Sequence, residues 1–219
     1  MYFGSMRTLL FFAFFLMVSC NDKDNKTSTS PGTKPLPDAV SAAKTQDSLL
    51  IKWTDFYKKE NPDFNAESFE LQETVPISFA ESSVKILNEK GFNEIYKPFL
   101  IFNKSGNQYL DFDSYHWFAA KDGFASFSAD QEVALIDLKA KSARQIAFLG
   151  PSYQVEEAYW KGDSVAVILG NSSEKIPFKT EFNFNNNTRR YFKYPDTLNF
   201  ASSYYQSRLK GKGIKTDQF

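Results

Sequence analysis

Between Phe99 and Gly170 the chain alternates short apolar-rich runs with turn residues: Phe99–Asn103, Gln108–Ser114, Glu132–Leu138, Arg144–Gly150, Tyr153–Trp160 and Val165–Gly170. Phe99-Leu100-Ile101-Phe102 has no polar position and predicts a strand buried on both faces. Lys104-Ser105-Gly106-Asn107 reads as a turn. Beyond it Tyr109, Asp111 and Asp113 alternate with Leu110 and Phe112, the period of an antiparallel hairpin partner. Val133 and Leu135 alternate with Ala134 and Ile136 in the same way. Lys161-Gly162-Asp163-Ser164 joins the next two runs, and Asn185-Asn186-Asn187 is a hairpin turn between Phe178, Phe182, Phe184 and Tyr191, Phe192, Tyr194.

Ahead of this region the period changes. Ala39, Ala43, Leu50, Trp53 and Tyr57, widened by Leu49 and Phe56, recur at helical spacing, with Asp38 as N-cap and Asn61-Pro62-Asp63 as the stop. Trp53 is the residue expected to dock this helix on the sheet. Leu71, Val75, Ile77 and Phe79 suggest a strand entering after Pro76, itself at an edge. Ser82 or Ser83 is expected to cap a short helix through Asn88, closed by Lys90-Gly91. Beyond Tyr205 the chain is basic and glycine-containing, and residues 206–219 are expected to fray.

These patterns predict a mainly β domain: a twisted antiparallel meander of propeller-blade-like strands with a packed N-terminal helix, possible also as α+β. Residues 38–98 form a mixed segment packing on the sheet, and residues 99–205 form the β region. A closed propeller does not fit. A blade takes ~40–45 residues and closure takes typically ~4–8 blades, whereas Phe99 to Leu198 holds about two.

The first 37 residues read differently. Arg7 precedes Leu9–Val18, an uncharged apolar run of ten residues. That is too short for a membrane span of ~20 residues and suits a signal-peptide core, with Met1 or Met6 as the start. Cys20, the chain's single cysteine, follows at once. Met17-Val18-Ser19-Cys20 resembles a bacterial lipobox, with residues 1–19 as leader and Cys20 as the lipidated residue. Acyl chains on Cys20, at ~0.8 kcal/mol per buried CH₂, would form a membrane anchor. Residues 20–37 hold the lipidated Cys and a tether too polar to order itself. Asn21-Asp22-Lys23-Asp24 resembles the surface-export signal of Bacteroidota lipoproteins. Tyr109–Tyr115 and Gln131–Leu138 also resemble segments of Bacteroidota outer-membrane and surface lipoproteins to which no activity is assigned. The resemblance implies an outer-membrane or surface location, and no chemistry.

Composition narrows the function classes. Lysine plus arginine and aspartate plus glutamate number 26 each, and this balance argues against a nucleic-acid partner. One cysteine and one histidine exclude intrachain disulfides and Cys- or multi-His-based metal sites, and no cofactor is expected. Phosphate-loop, dinucleotide-fingerprint and Gly-x-Ser-x-Gly patterns are absent. The sharpest catalytic candidates are Asp111 and Asp113, two apart on one strand face, with His116 beside them. They could act as acid and base of a glycan-directed hydrolase. The alternative for the same pair is a solvent face that discourages edge pairing. Tyr109, Trp117 and Trp160 are candidate ligand-stacking rings. The 37 aromatic residues exceed what a core of this size hides, so some should line an interaction surface. The expected role is non-catalytic: binding of an envelope protein or glycan, or assembly.

Overall fold

The computed structural model describes residues 39–216, with side chains from Ser48 onward. The expected leader, the lipobox-like Met17–Cys20, the expected tether and the expected N-cap Asp38 lie outside the described residues. Helix α1 (Ala39–Glu60) carries Lys58 and Lys59 in its last turn, where cations complement the helix dipole. Its stripe buries Trp53 and Tyr57 completely, with Leu49, Leu50 and Phe56 half-buried around them.

Twelve strands follow in three antiparallel sheets. Strands β1 (Glu70–Pro76) and β2 (Ala80–Glu81) precede a 3-10 helix, Glu94–Phe99. Then come β3 (Ile101–Phe102), β4 (Gln108–Asp111), the hairpin β5 (Trp117–Ala119) and β6 (Ala125–Phe127), β7 (Gln131–Asp137) and β8 (Ser142–Leu149). Strands β9 (Tyr153–Lys161), β10 (Val165–Ser172), β11 (Pro177–Asn183) and β12 (Thr188–Lys193) form a continuous meander, and helix α2 (Tyr204–Lys210) closes the series. The first sheet runs β1-β12-β11-β10-β9 and the second β2-β8-β7-β4-β3, with β5-β6 apart. Each large sheet is thus an up-and-down meander extended at one edge by a strand from residues 70–81. The fold is mainly β, with open antiparallel sheets and a packed N-terminal helix, as the alternation predicts.

Three apolar clusters account for the layering. The largest joins Leu110, Val133, Leu135 and Ile146 of the second sheet to Val155, Trp160, Ile168 and Phe182 of the first. A second packs Trp53 and Tyr57 of α1 on Tyr159, Val167, Leu169 and Phe192. The third covers the remaining face of the second sheet, where Val84, Ile86 and Leu100 meet Tyr109, Ala134 and Ile136. Burying a large apolar side chain is worth ~1.5–3 kcal/mol, so the α1 contacts alone hold that helix firmly.

Strand β9 is an edge, and its exposed backbone needs partners. Gln131 of β7 supplies them. Its Nε2 donates to the Val155 carbonyl at 3.2 Å and its Oε1 accepts from the Val155 amide at 2.7 Å. Trp160 Nε1 ties the same strand to the Ile101 carbonyl at 2.8 Å.

Several local expectations change. The helix over 82–88 does not form: Val84 and Ile86 instead point inward at a period of two, which suits β-branched side chains. The helical turn forms later, where Asn93 Oδ1 accepts from the Ile95 amide. Phe99 ends that helix, so the strand expected from Phe99 shrinks to Ile101–Phe102. The strand expected after Pro76 lies before it, on the edge position that proline tolerates. The tail expected to fray is ordered through Thr216: Arg208, Leu209 and Thr216 are buried, and Lys215 bridges to Phe124.

Candidate functional site

Strand β9 positions the polar interior. Opposite β10 its register shifts between Leu169 and Gly170, where Glu157 and Val155 face consecutive partners and Glu156 is the extra residue. Such a bulge re-aims a side chain. Gly170 permits it, since a Cβ there would lie 2.2 Å from the Gln154 carbonyl and 2.5 Å from the Phe178 ring. Glu156 and Glu157 are both buried, and each pins one helix. Glu156 Oε2 accepts from Trp53 Nε1 at 2.9 Å and from the Tyr57 hydroxyl at 2.6 Å. Glu157 Oε2 accepts from the Tyr204 hydroxyl of α2 at 2.8 Å, while Oε1 lies 3.5 Å from Arg208 Nε. Burial raises the Glu156 carboxyl above the usual range against the opposing influence of the Ser202 hydroxyl, Tyr57 and Trp53.

The candidate acids sit deeper than a solvent-facing strand would place them. Asp111 and Asp113 are 1% and 0% exposed. Strand β4 ends at Asp111, whose Oδ1 accepts from the Asp113 and Ser114 amides and whose Oδ2 accepts from the Ser114 hydroxyl at 2.5 Å. Burial pushes this carboxyl up to about 6. Asp113 is enclosed by donors: Arg208 Nη1 and Nη2 at 2.9 and 3.0 Å, Trp117 Nε1 at 3.1 Å and the Tyr205 hydroxyl at 2.9 Å.

His116 packs edge-to-face on Tyr205. Its Nδ1 lies 3.1 Å from the Asp130 carbonyl, which can only accept, so we assign the proton to Nδ1. Nε2 is then an acceptor facing Gln154 Nε2 at 3.4 Å. Burial lowers the imidazole's pKa and favours this neutral form.

The structure therefore brings Asp111, Asp113, His116 and Trp117 together, around Arg208 and Tyr205. Tyr109 lies elsewhere, in the cluster on the far face of the second sheet, its hydroxyl accepting from the Leu87 amide at 2.8 Å. Tyr109, Trp117 and Trp160 are 0–1% exposed. None offers a ring face to a ligand.

An open polar cavity of about 230 Å³ lies beside this framework, lined by Tyr153, Gln154, Glu156, Asn171, Lys175 and Ser202 among others. Asn171 is 7% exposed, and its Oδ1 is buried without a hydrogen-bond partner. Its side chain faces the Tyr57 hydroxyl, as does Ser202. Tyr153 stands at the rim, 45% exposed, and its ring meets Phe178 edge-to-face at 5.7 Å. On its other side runs a groove of about 450 Å³, lined by Phe148, Phe178, Thr180, Arg189 and Tyr191. Tyr115 and Phe148, also exposed, pack together at 5.7 Å. Three exposed aromatics thus gather around the β8–β9 turn.

Sequence reasoning passes over Arg208, Glu156, Asn171 and Tyr153. One signal is available: Glu156-Glu157 sits between Val155 and Ala158-Tyr159-Trp160, and adjacent carboxylates in a buried strand require partners. Among the described residues no group of three or more His, Cys, Asp or Glu could hold a metal ion, and no helix is long and apolar enough to cross a membrane. Compared with family models, with curated proteins and with solved structures, the chain matches none.

Proposed function

We propose that this chain is a lipid-anchored envelope protein, held at the outer membrane or cell surface through Cys20, whose β domain binds a partner rather than transforming a substrate. The lipobox-like Met17–Cys20 supports the anchor. The observation that carries the binding role is the placement of Tyr153: a half-exposed ring between a polar cavity and an aromatic groove, on a strand braced by both helices. Concave sites with a few convergent polar groups on rigid elements are where ligands bind.

A hydrolase using Asp111 and Asp113 is the second reading, and the burial of both acids weighs against it. A general acid or base must come within hydrogen-bond reach of substrate. Asp113 already receives four hydrogen bonds from Arg208, Trp117 and Tyr205.

Two experiments test the proposal. Cys20→Ala should release the protein from membranes and abolish acyl labelling; retention with unchanged mobility would overturn the anchor. Crosslinking and affinity capture of the full-length protein from its own envelope should return a stoichiometric protein or glycan partner. Recovery of neither, with turnover of an envelope glycan that Asp111→Asn abolishes, would favour the hydrolase.

A further inference from the structure

We infer that the open half of strand β8 is a docking edge for an extended segment of another protein, which joins the second sheet as a strand and lays alternate side chains into the groove beside Tyr153. The inference rests on the binding role proposed above and names the class of partner.

The backbone defines the site. Strand β2 pairs with β8 only at Arg144 and Gln145. Ile146 is the extra residue of a bulge opposite Val133 and Ala134, and Ala147, Phe148 and Leu149 then pair with β7 alone. Along such a margin alternate N–H and C=O groups point away from the sheet, open to a further strand. The other margins of the two large sheets are defended. Strand β1 carries Glu70, Glu73, Pro76 and a bulge. On β9 the Val155 amide and carbonyl are taken by Gln131. Strand β3 is two residues long, and its Ile101 carbonyl accepts from Trp160. Ala147-Phe148-Leu149 has neither a charge nor a proline, and its Phe148 ring is half-exposed.

The groove gives the incoming strand a floor. Ala147 and Leu149 line it together with Phe178, Thr180, Phe182 and Tyr191 from the inner face of the first sheet. The first sheet therefore runs on past the last strand of the second, and that layer is one strand short. The two charged residues of the groove, Glu73 and Arg189, are paired with each other at 2.6 Å. The segment that fits accordingly carries uncharged, apolar residues at every second position. A saccharide lacks the repeating donors and acceptors that the β8 backbone leaves open, whereas an extended peptide has both. A second copy of this chain fits poorly. Antiparallel pairing of two β8 edges about a twofold axis sets both first sheets on the same side, where their projecting strands would collide.

The test uses full-length protein in detergent on an array of synthetic peptides with Val, Ile, Phe or Tyr at every second position and Ser or Thr between. Retention is expected. Methylating alternate backbone amides of a retained peptide should abolish binding in one phase and spare it in the other, because only one set faces β8. Amide exchange within Ala147–Leu149 of the unaltered protein should slow when the peptide is bound. Phe148→Lys, at a half-exposed ring whose loss spares the core, should weaken binding about tenfold or more. Phe118→Lys, at an exposed aromatic on β5, should leave it unchanged. Binding with unchanged exchange at these residues, with both methylation phases alike, or with equal affinity in Phe148→Lys overturns the inference. An empty array with a partner captured from the envelope overturns strand addition and leaves the binding role standing. An empty array with no partner captured overturns both.

Discussion

Asp113 and Arg208, 95 positions apart, form a two-bonded ion pair with both side chains at most 1% exposed. The guanidinium lies over Phe112 at 4.6 Å and reaches toward Glu157 with its Nε. The pair therefore joins the end of β4, α2 and β9 in one place. A buried ion pair adds little over a well-packed apolar substitute, but breaking one side of it is severe.

Asp113→Ala should accordingly lose about 3–5 kcal/mol of stability, read as a lower midpoint in equilibrium urea unfolding. The triple variant Asp113→Leu/Glu157→Gln/Arg208→Met should unfold later than Asp113→Ala, because neither carboxylate is left as a buried charge without its cation. A triple variant weaker than Asp113→Ala would contradict this account.

The pH dependence follows from Asp111. Burial raises its folded pKa from 3.8 to about 6, so the folded state holds the proton more tightly than the unfolded chain. The stabilisation is full below 3.8 and is lost as pH rises through about 6. Asp111→Asn keeps the Oδ1 acceptor for the Asp113 and Ser114 amides and removes the titration. Relative to this variant the wild type should lose on the order of 2–3 kcal/mol between acid and neutral pH. Parallel stability curves for the two proteins would refute the assignment.

Glu156 holds α1 through two donors. Glu156→Leu leaves Trp53 Nε1 and the Tyr57 hydroxyl buried without their acceptor, at about 1–3 kcal/mol for each. Amide exchange should rise along α1 from Ser48 to Glu60 before it rises in β10 or β11. Uniform acceleration across the whole sheet would show that α1 has no separate stability.

Gly170→Ala inserts a methyl group into the β9 bulge, against the Gln154 backbone and the Phe178 ring. Backbone cannot yield as a flexible side chain can, so a loss of about 3 kcal/mol or more is expected. Thermal unfolding checks it. An unchanged midpoint would mean that the bulge adapts freely.

Legibility in the sequence followed the locality of each signal. The runs Glu132–Leu138, Tyr153–Trp160 and Val165–Gly170 are strands, as their alternation and bounding turns indicate. The turns carry their own chemistry: Gly162 and Asn187 adopt φ of 69° and 55°, which suit glycine and asparagine. Trp53 docks α1 as its stripe implies. Residues 70–81 are harder to read because their few apolar positions fit either edge strands or a loop, and their partners lie far along the chain, in β12 and β8. The interior polar framework was least visible. Arg208 looks like one more cation in a basic tail until Tyr204, Tyr205 and Leu209 are seen to share its buried helix. Of the 37 aromatics, Tyr115, Phe148 and Tyr153 are among the exposed ones, while Tyr109, Trp117 and Trp160 belong to the core.

The distance along the chain between Asp113 and Arg208 also sets a schedule. A polypeptide emerging N-terminus first presents Asp113, Glu156 and Glu157 well before the arginine that neutralises two of them. Until it arrives, collapse would bury carboxylates without their cation, which is unfavourable. The first sheet likewise waits, because β1 pairs with β12. The first sheet and its ion-paired interior are therefore completed only once strand β12 and helix α2 are available, whereas the second sheet draws all its strands from residues 80–149.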